Sequence, residues 1–238
     1  MLTRPLIAAA LLALCVPAAS AHPVSRDRDR DRDRDRARDG GDWEFRFGLG
    51  FEPKVSEAEY DYDDSSTNFT QDWDAPGSSL EFNVVHRFSS RSAHSAFVGF
   101  GGFLRGFEGD DDFGTNLELG VLGIQGGAGY SYRPSRFHTL EIGPRLGIGV
   151  SGSTESIPGE EDLESDEGGY ARIDVAITNT FNFERVQFGV TFGAASWGAT
   201  QRYDAQTLET SGGPVFFPGA DATYSGSGVF ATVLMGFR

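Results

Sequence analysis

From Asp42 onward, apolar and polar residues alternate with a period of two, a pattern that predicts half-buried β-strands. In the first segment the apolar positions run from Trp43 to Phe51, and glutamate, arginine and glycine occupy the positions between them. Similar segments follow at about residues 80–88, 96–107, 117–132, 140–150, 172–183, 187–200 and 226–237. The pattern therefore predicts an all-β chain with about eight antiparallel strands.

The fourth of these segments changes phase. Leu117, Leu119 and Val121 share one face, whereas Leu122 and Ile124 begin a run on the other. One extra residue in a strand exchanges its two faces, so we interpret the change as a β-bulge near Val121.

The connections between the segments alternate in length. Those at 52–78, 153–169 and 201–224 are long, the one at 108–116 is intermediate, and those at 89–94, 133–137 and 184–186 are short. Long connections at one end and short turns at the other are typical of up-and-down barrels of the bacterial outer membrane, whose short turns face the periplasm.

The chain begins with the features of a secretory signal: Arg4, an apolar run from Leu6 to Val16, and Ala19-Ser20-Ala21 before the cleavage point. The alternating Arg-Asp sequence at 26–39 cannot bury apolar surface. We therefore expect a signal peptide at 1–21, a disordered periplasmic leader at 22–41 and a β-barrel at 42–238.

The alternation fits two kinds of barrel, a transmembrane one and a soluble secreted one with its apolar face inward. The polar face is rich in glycine, and aromatic residues cluster at the short-turn ends, which favours the transmembrane barrel. A basic residue facing lipid at mid-depth costs about 2–4 kcal/mol, so charged residues within strands must point inward. Because both signs occur, we expect an interior ion-pair network of Glu44, Arg46, Glu81, Arg105, Glu118, Glu141, Arg145, Arg172 and Asp174.

Taken together, the signal sequence, the alternating strands, the unequal connections and Phe237 near the end resemble the OmpA-type, OmpX and opacity-protein class of small outer-membrane barrels. Members of that class usually end on the aromatic residue itself, whereas Arg238 follows here. The resemblance implies eight strands, insertion by the barrel-assembly machinery, and contact with outer-membrane lipid and lipopolysaccharide. It also implies a role in adhesion, envelope integrity or narrow transport, without a cofactor.

Acidic residues concentrate in the long connections, and the formal net charge of the chain is −15. Several carboxylates together can hold a divalent cation, although the same residues also suit a solvated surface. The weak candidates for cation binding are Asp61, Asp63, Asp64, Asp110, Asp111 and Asp112. No histidine falls in these connections, so we expect no catalytic residue there and no enzyme. The paired Arg and Asp charges of the leader do not suit nucleic acid.

One stretch of the last long connection is apolar: Val215, Phe216 and Phe217 lie between two prolines. It either packs against the barrel mouth or forms an exposed contact tip. We therefore expect a non-enzymatic envelope barrel whose outer loops serve envelope integrity, surface interaction or adhesion. The alternatives are a narrow pore, since inward glycines leave space, and, more weakly, an outer-membrane enzyme.

Overall fold

The computed structural model describes residues 42–63, 68–88, 92–158, 160, 162–210 and 212–237. The predicted signal peptide and leader therefore lie outside the described residues, as does Asp64. Eleven strands occur in this part of the chain: β1 (Asp42–Tyr62), β2 (Asn68–Arg87), β3 (His94–Asp111), β4 (Asn116–Ser135), β5 (His138–Ser156), β6 (Leu163–Glu164), β7 (Asp166–Phe183), β8 (Val186–Tyr203), β9 (Gln206–Thr210), β10 (Gly213–Phe217) and β11 (Ala220–Phe237).

Eight of these strands close into a ring in which every neighbour is antiparallel. The order around the ring is β1, β2, β3, β4, β5, β7, β8 and β11, and β11 pairs back onto β1. The predicted antiparallel eight-stranded barrel is confirmed. Within the described residues, no helix is long and apolar enough to cross a membrane.

The strands are much longer than the sequence predicted. They contain 18 to 21 residues each, so most of the supposed loop at 52–78 is strand, with β1 ending at Tyr62 and β2 beginning at Asn68. Instead of an outer loop region, the barrel wall continues well past the last apolar outward position of β1, Phe51. We call this continuation the outer section and the part nearer the short turns the belt section.

The two sections bury opposite kinds of residue. In the belt section large apolar side chains lie outside, and in β5 they run from Leu140 to Val150. Ten residues at about 3.3 Å each, on a strand tilted by about 40°, give a band about 25 Å high. In the outer section the same strands turn apolar side chains inward, and β1 exposes Glu57, Glu59 and Asp61 instead.

The predicted bulge near Val121 is wrong. The pairing of β4 with β3 and with β5 continues without a shift from Leu117 to Gly127, and the inward and outward positions alternate throughout. Leu117, Leu119 and Val121 are apolar because they face the dry interior of the outer section. The phase change therefore marks the boundary between the two sections. Register shifts occur elsewhere: in β1 between Glu52 and Glu57, near the end of β4 between Tyr132 and Ser135, and at the start of β7 between Asp166 and Gly169.

Candidate functional site

Ten charged residues form ion pairs inside the barrel. They fall into two groups, each with as many acidic as basic residues. Nearest the short turns, Glu44, Arg46, Arg87 and Glu141 form a four-charge cluster. Arg46 Nη1 donates to Glu141 Oε2 at 2.6 Å, and Arg87 Nε donates to Glu141 Oε1 at 2.8 Å. All four side chains are at most 6 % exposed, so the cluster closes this end of the barrel.

Six further charges form a closed ring across the middle of the barrel, which we call the six-charge ring. Positive and negative groups alternate around it, and each side chain contacts two of opposite sign. The order is Glu52, Arg105, Glu81, Arg145, Asp174, Arg172 and back to Glu52. The charged atoms of Arg145 lie 2.7 Å from Asp174 and 3.3 Å from Glu81. Three carboxylates and three guanidinium groups thus neutralise one another, with five of the side chains at most 2 % exposed and that of Arg145 20 % exposed.

Aromatic rings fill the space around the six-charge ring. The guanidinium carbon of Arg105 lies 3.8 Å from the centre of the Phe103 ring, and that of Arg172 lies 4.7 Å from Phe230. The glycines opposite make room for these rings: a Cβ at Gly123 would lie 2.4 Å from Phe103, and one at Gly193 would lie 2.5 Å from Phe230. The inward glycines thus accommodate aromatic side chains at this level and leave no wide channel.

Above the ring, the outer section has a hydrophobic core. Phe107 packs on Trp197 at 4.6 Å between ring centres, and the Trp197 indole donates to the Pro53 carbonyl oxygen at 3.2 Å. Leu117 and Val121 are at most 1 % exposed beside them. Below the ring lies a cavity of about 60 Å³, whose lining combines charged and polar side chains such as Arg46 and Gln125 with apolar ones such as Val85 and Leu234. It has room for a few water molecules.

A single carboxylate lies within the apolar core of the outer section. Glu155 accepts hydrogen bonds on Oε1 from Tyr60 at 2.6 Å, from Tyr203 at 3.1 Å and from Tyr224. Within the described residues no ion pair to an arginine or lysine involves Glu155. Burial raises the pKa of the Glu155 carboxyl above its ordinary range, although the three hydroxyl donors oppose this shift. Burial also raises the pKa of Tyr203.

The structure places eight of the nine residues predicted for the interior network inside the barrel. Glu118 is the exception: it lies on the outer face of β4, opposite Glu108, because at this height inward positions are apolar. Two members of the ion-pair groups were missing from the prediction, Glu52 and Arg87. Both are in phase with the other polar positions of their strands, and this phase is the signal in the sequence that could have identified them.

The carboxylates named as weak cation candidates are exposed or engaged elsewhere. Asp63 pairs with Arg202, Asp110 accepts from Asn116 at 3.0 Å, and Asp111 caps its own turn by accepting from the backbone nitrogens of Phe113 and Thr115. Asp61 and Asp112 point into solvent. No group of three or more metal-ligating side chains occurs within the described parts of the chain.

The predicted apolar tip belongs to a separate hairpin of β9 and β10. Phe217 is half-buried and meets Tyr62 edge-on at 6.0 Å, while Val215 and Phe216 are 55 % and 67 % exposed. Leu208 of the same hairpin is buried in the core of the outer section. The hairpin is thus attached to the barrel on one side and exposes two apolar side chains on the other.

No family model and no curated protein matches the chain. Among solved structures it is similar to Neisserial surface protein A, with a TM-score of 0.40 and 10 % identity over 84 % of this chain and 99 % of that one. It is also similar to OprG from Pseudomonas aeruginosa (TM-score 0.42, 11 % identity, 84 % and 96 % covered) and to Ail of Yersinia pestis (0.28, 12 %, 82 % and 99 %).

Proposed function

We propose that this chain is a non-enzymatic outer-membrane β-barrel that is sealed and presents an acidic surface outside the bacterial cell. The exposed apolar band supports the membrane location. Its side chains, such as Leu146, Ile148 and Ile173, are 56–62 % exposed, and its height of about 25 Å matches the hydrocarbon-facing band of such barrels. A soluble barrel would have to leave this whole band in water.

The observation that carries the sealed state is the closed six-charge ring with a hydrophobic core above it. Each charge of the ring is held by two partners, so ions passing through would have to break contacts between buried opposite charges. Above the ring, Trp197 packs between Phe107 and Tyr170, with distances between ring centres of 4.6 Å and 5.9 Å. The function then lies in the outer surface of the barrel, which contributes to adhesion or to envelope integrity.

Planar-bilayer recording tests this proposal. Purified, refolded barrel should insert without steady single-channel steps in molar potassium chloride. As a matched control, Trp197→Ala and Phe107→Ala should still give no steps, because the six-charge ring remains in place. Steady steps from the wild-type barrel would contradict the sealed state.

A narrow pore is the second candidate, and the cavity of about 60 Å³ below the ring favours it. If the ring rearranged, that cavity would connect with the outer section. Conductance that appears only after a ring residue such as Arg145 is replaced would support a gated pore. Contact with lipopolysaccharide, and insertion by the assembly machinery, remain predictions of the resemblance.

A further inference from the structure

The outer face of the barrel at its short-turn end carries a repeated arrangement of histidine on aromatic residues. We call this surface the short-turn rim. Each of its three described histidines is the direct cross-strand partner of an aromatic residue. The pairs are Trp43 with His86 at 4.4 Å between ring centres, His94 with Tyr132 at 5.0 Å, and His138 with Phe181 at 5.2 Å. Such amphipathic pairs suit the level of lipid head groups.

Two exposed arginines lie in the turns of the same rim. The guanidinium carbon of Arg136 lies 4.6 Å from the centre of the Phe137 ring. Arg185 is in the turn that joins Phe183 and Phe188, whose rings are 6.3 Å apart. The Arg136 guanidinium group therefore lies beside an exposed aromatic ring, and Arg185 is in the turn that directly follows the strand ending at Phe183. A planar guanidinium group can bind a phosphate through two parallel hydrogen bonds.

The charges of the rim differ in sign from those at the other end of the barrel. Two of the described carboxylates lie on the rim. Asp42 forms an ion pair with Arg133 at 3.7 Å, and Glu184 is in the turn between β7 and β8. Beyond the opposite edge of the apolar band, most of the charged residues at outward positions are carboxylates, and Lys54 and Arg202 are basic. These carboxylates are Glu57, Glu59, Asp61, Asp72, Asp74, Glu108, Asp110 and Glu118. The band separates a basic, histidine-bearing rim from an acidic one.

We propose that the short-turn rim binds the head groups of anionic phospholipids in the leaflet that it meets. This inference rests on the proposed membrane location. Charge complementarity favours an anionic head group, and the flanking aromatic rings place the arginines at head-group depth. His94 Nδ1 and His138 Nε2 are hydrogen-bonded to Tyr130 and Asn179, so the other ring nitrogen of each histidine is the one that can add a hydrogen bond to a phosphate oxygen. Each exposed arginine should favour an anionic over a zwitterionic lipid about fivefold at its own position.

Electron paramagnetic resonance of spin-labelled lipids tests the proposal. The barrel is reconstituted in phosphatidylcholine bilayers with a trace of spin-labelled phosphatidylglycerol or phosphatidylcholine, and the motionally restricted fraction of each label is compared. Averaged over all lipids around the barrel, phosphatidylglycerol should be preferred about twofold, and 0.5 M salt should reduce the preference.

Two double variants with the same change in net charge distinguish the rim from a general charge effect. Arg136→Gln with Arg185→Gln should abolish the preference, whereas Lys54→Gln with Arg202→Gln, in the outer section, should leave it intact. Equal restriction of both lipids by the wild-type barrel, or equal effects of the two double variants, would overturn the proposal. If neither lipid is restricted, the barrel is not in the bilayer and the proposed membrane location fails as well.

Discussion

Neutralising one member of the six-charge ring should strongly destabilise the barrel. Asp174 is 3 % exposed and holds Arg145 at 2.7 Å and Arg172 at 2.9 Å, so Asp174→Asn removes charge with little change of shape. The ring is then left with three guanidinium groups and two carboxylates. Leaving a buried charge unpaired costs about 3–5 kcal/mol, and we expect the free energy of unfolding to fall by that amount.

Restoring neutrality separates this effect from a loss of packing. In Asp174→Asn with Arg145→Gln, two carboxylates and two guanidinium groups remain connected through Glu52, so part of the lost stability should return. The measurement is reversible urea unfolding of the barrel in phospholipid bilayers, carried through a double-mutant cycle. We expect a favourable coupling of about 1–3 kcal/mol between the two changes. Costs that simply add, or a cost below about 1 kcal/mol for Asp174→Asn, would refute the ring as an electrostatic unit.

Three further predictions test the other layers of the molecule. Since burial raises the pKa of Glu155, the native state binds its proton more tightly than the unfolded state, and stability is lost as pH rises from the ordinary carboxyl range through the raised pKa. Glu155→Gln should therefore raise the thermal midpoint at pH 8 and have little effect at pH 4; equal effects at both values would contradict this. Ile148→Arg should cost about 2–4 kcal/mol in bilayers, whereas Glu118→Arg, on the outer face above the band, should change stability by less than about 0.5 kcal/mol; a large cost at Glu118 would place it inside the barrel. Gly77→Val should cost about 1–3 kcal/mol in urea unfolding, because its Cβ would lie 2.5 Å from the Phe107 ring, and an unchanged midpoint would show that the core is loosely packed there.

The belt section could be predicted from the sequence because one rule, apolar residues outward and polar residues inward, holds along all of its strands. Apolar residues must face outward there, so the period-two pattern of β1, β5 and β7 indicated both the strands and the inward direction of their charges. The interior network followed from the same constraint, apart from Glu52 and Arg87 at its edges.

The sequence predicts loops for most of the outer section because the residues there follow a different pattern. Above the six-charge ring the barrel wall stands outside the apolar band, so its outward residues are polar and acidic, as in a water-soluble barrel. The rule that polar residues face inward fails at Glu118, because this part of β4 lies in the outer section, where Leu117 and Leu119 face inward instead. The pairing of β9 with β10, and the three tyrosines on Glu155, depend on contacts between distant parts of the chain, and no local spacing indicates them.

The central claim is that lipid surrounds the belt section while the outer section stands in water. The single cysteine of the chain, Cys15, lies in the predicted signal peptide, so single cysteines for spin labelling can be introduced into the barrel at Glu118 and Ile124, both outward positions of β4. Power saturation in bilayers compares the access of oxygen and of a water-soluble nickel chelate to each label. We predict that the label at 124 is reached by oxygen and not by the chelate, and that the label at 118 is reached by the chelate. Access of the chelate to both labels would contradict the account.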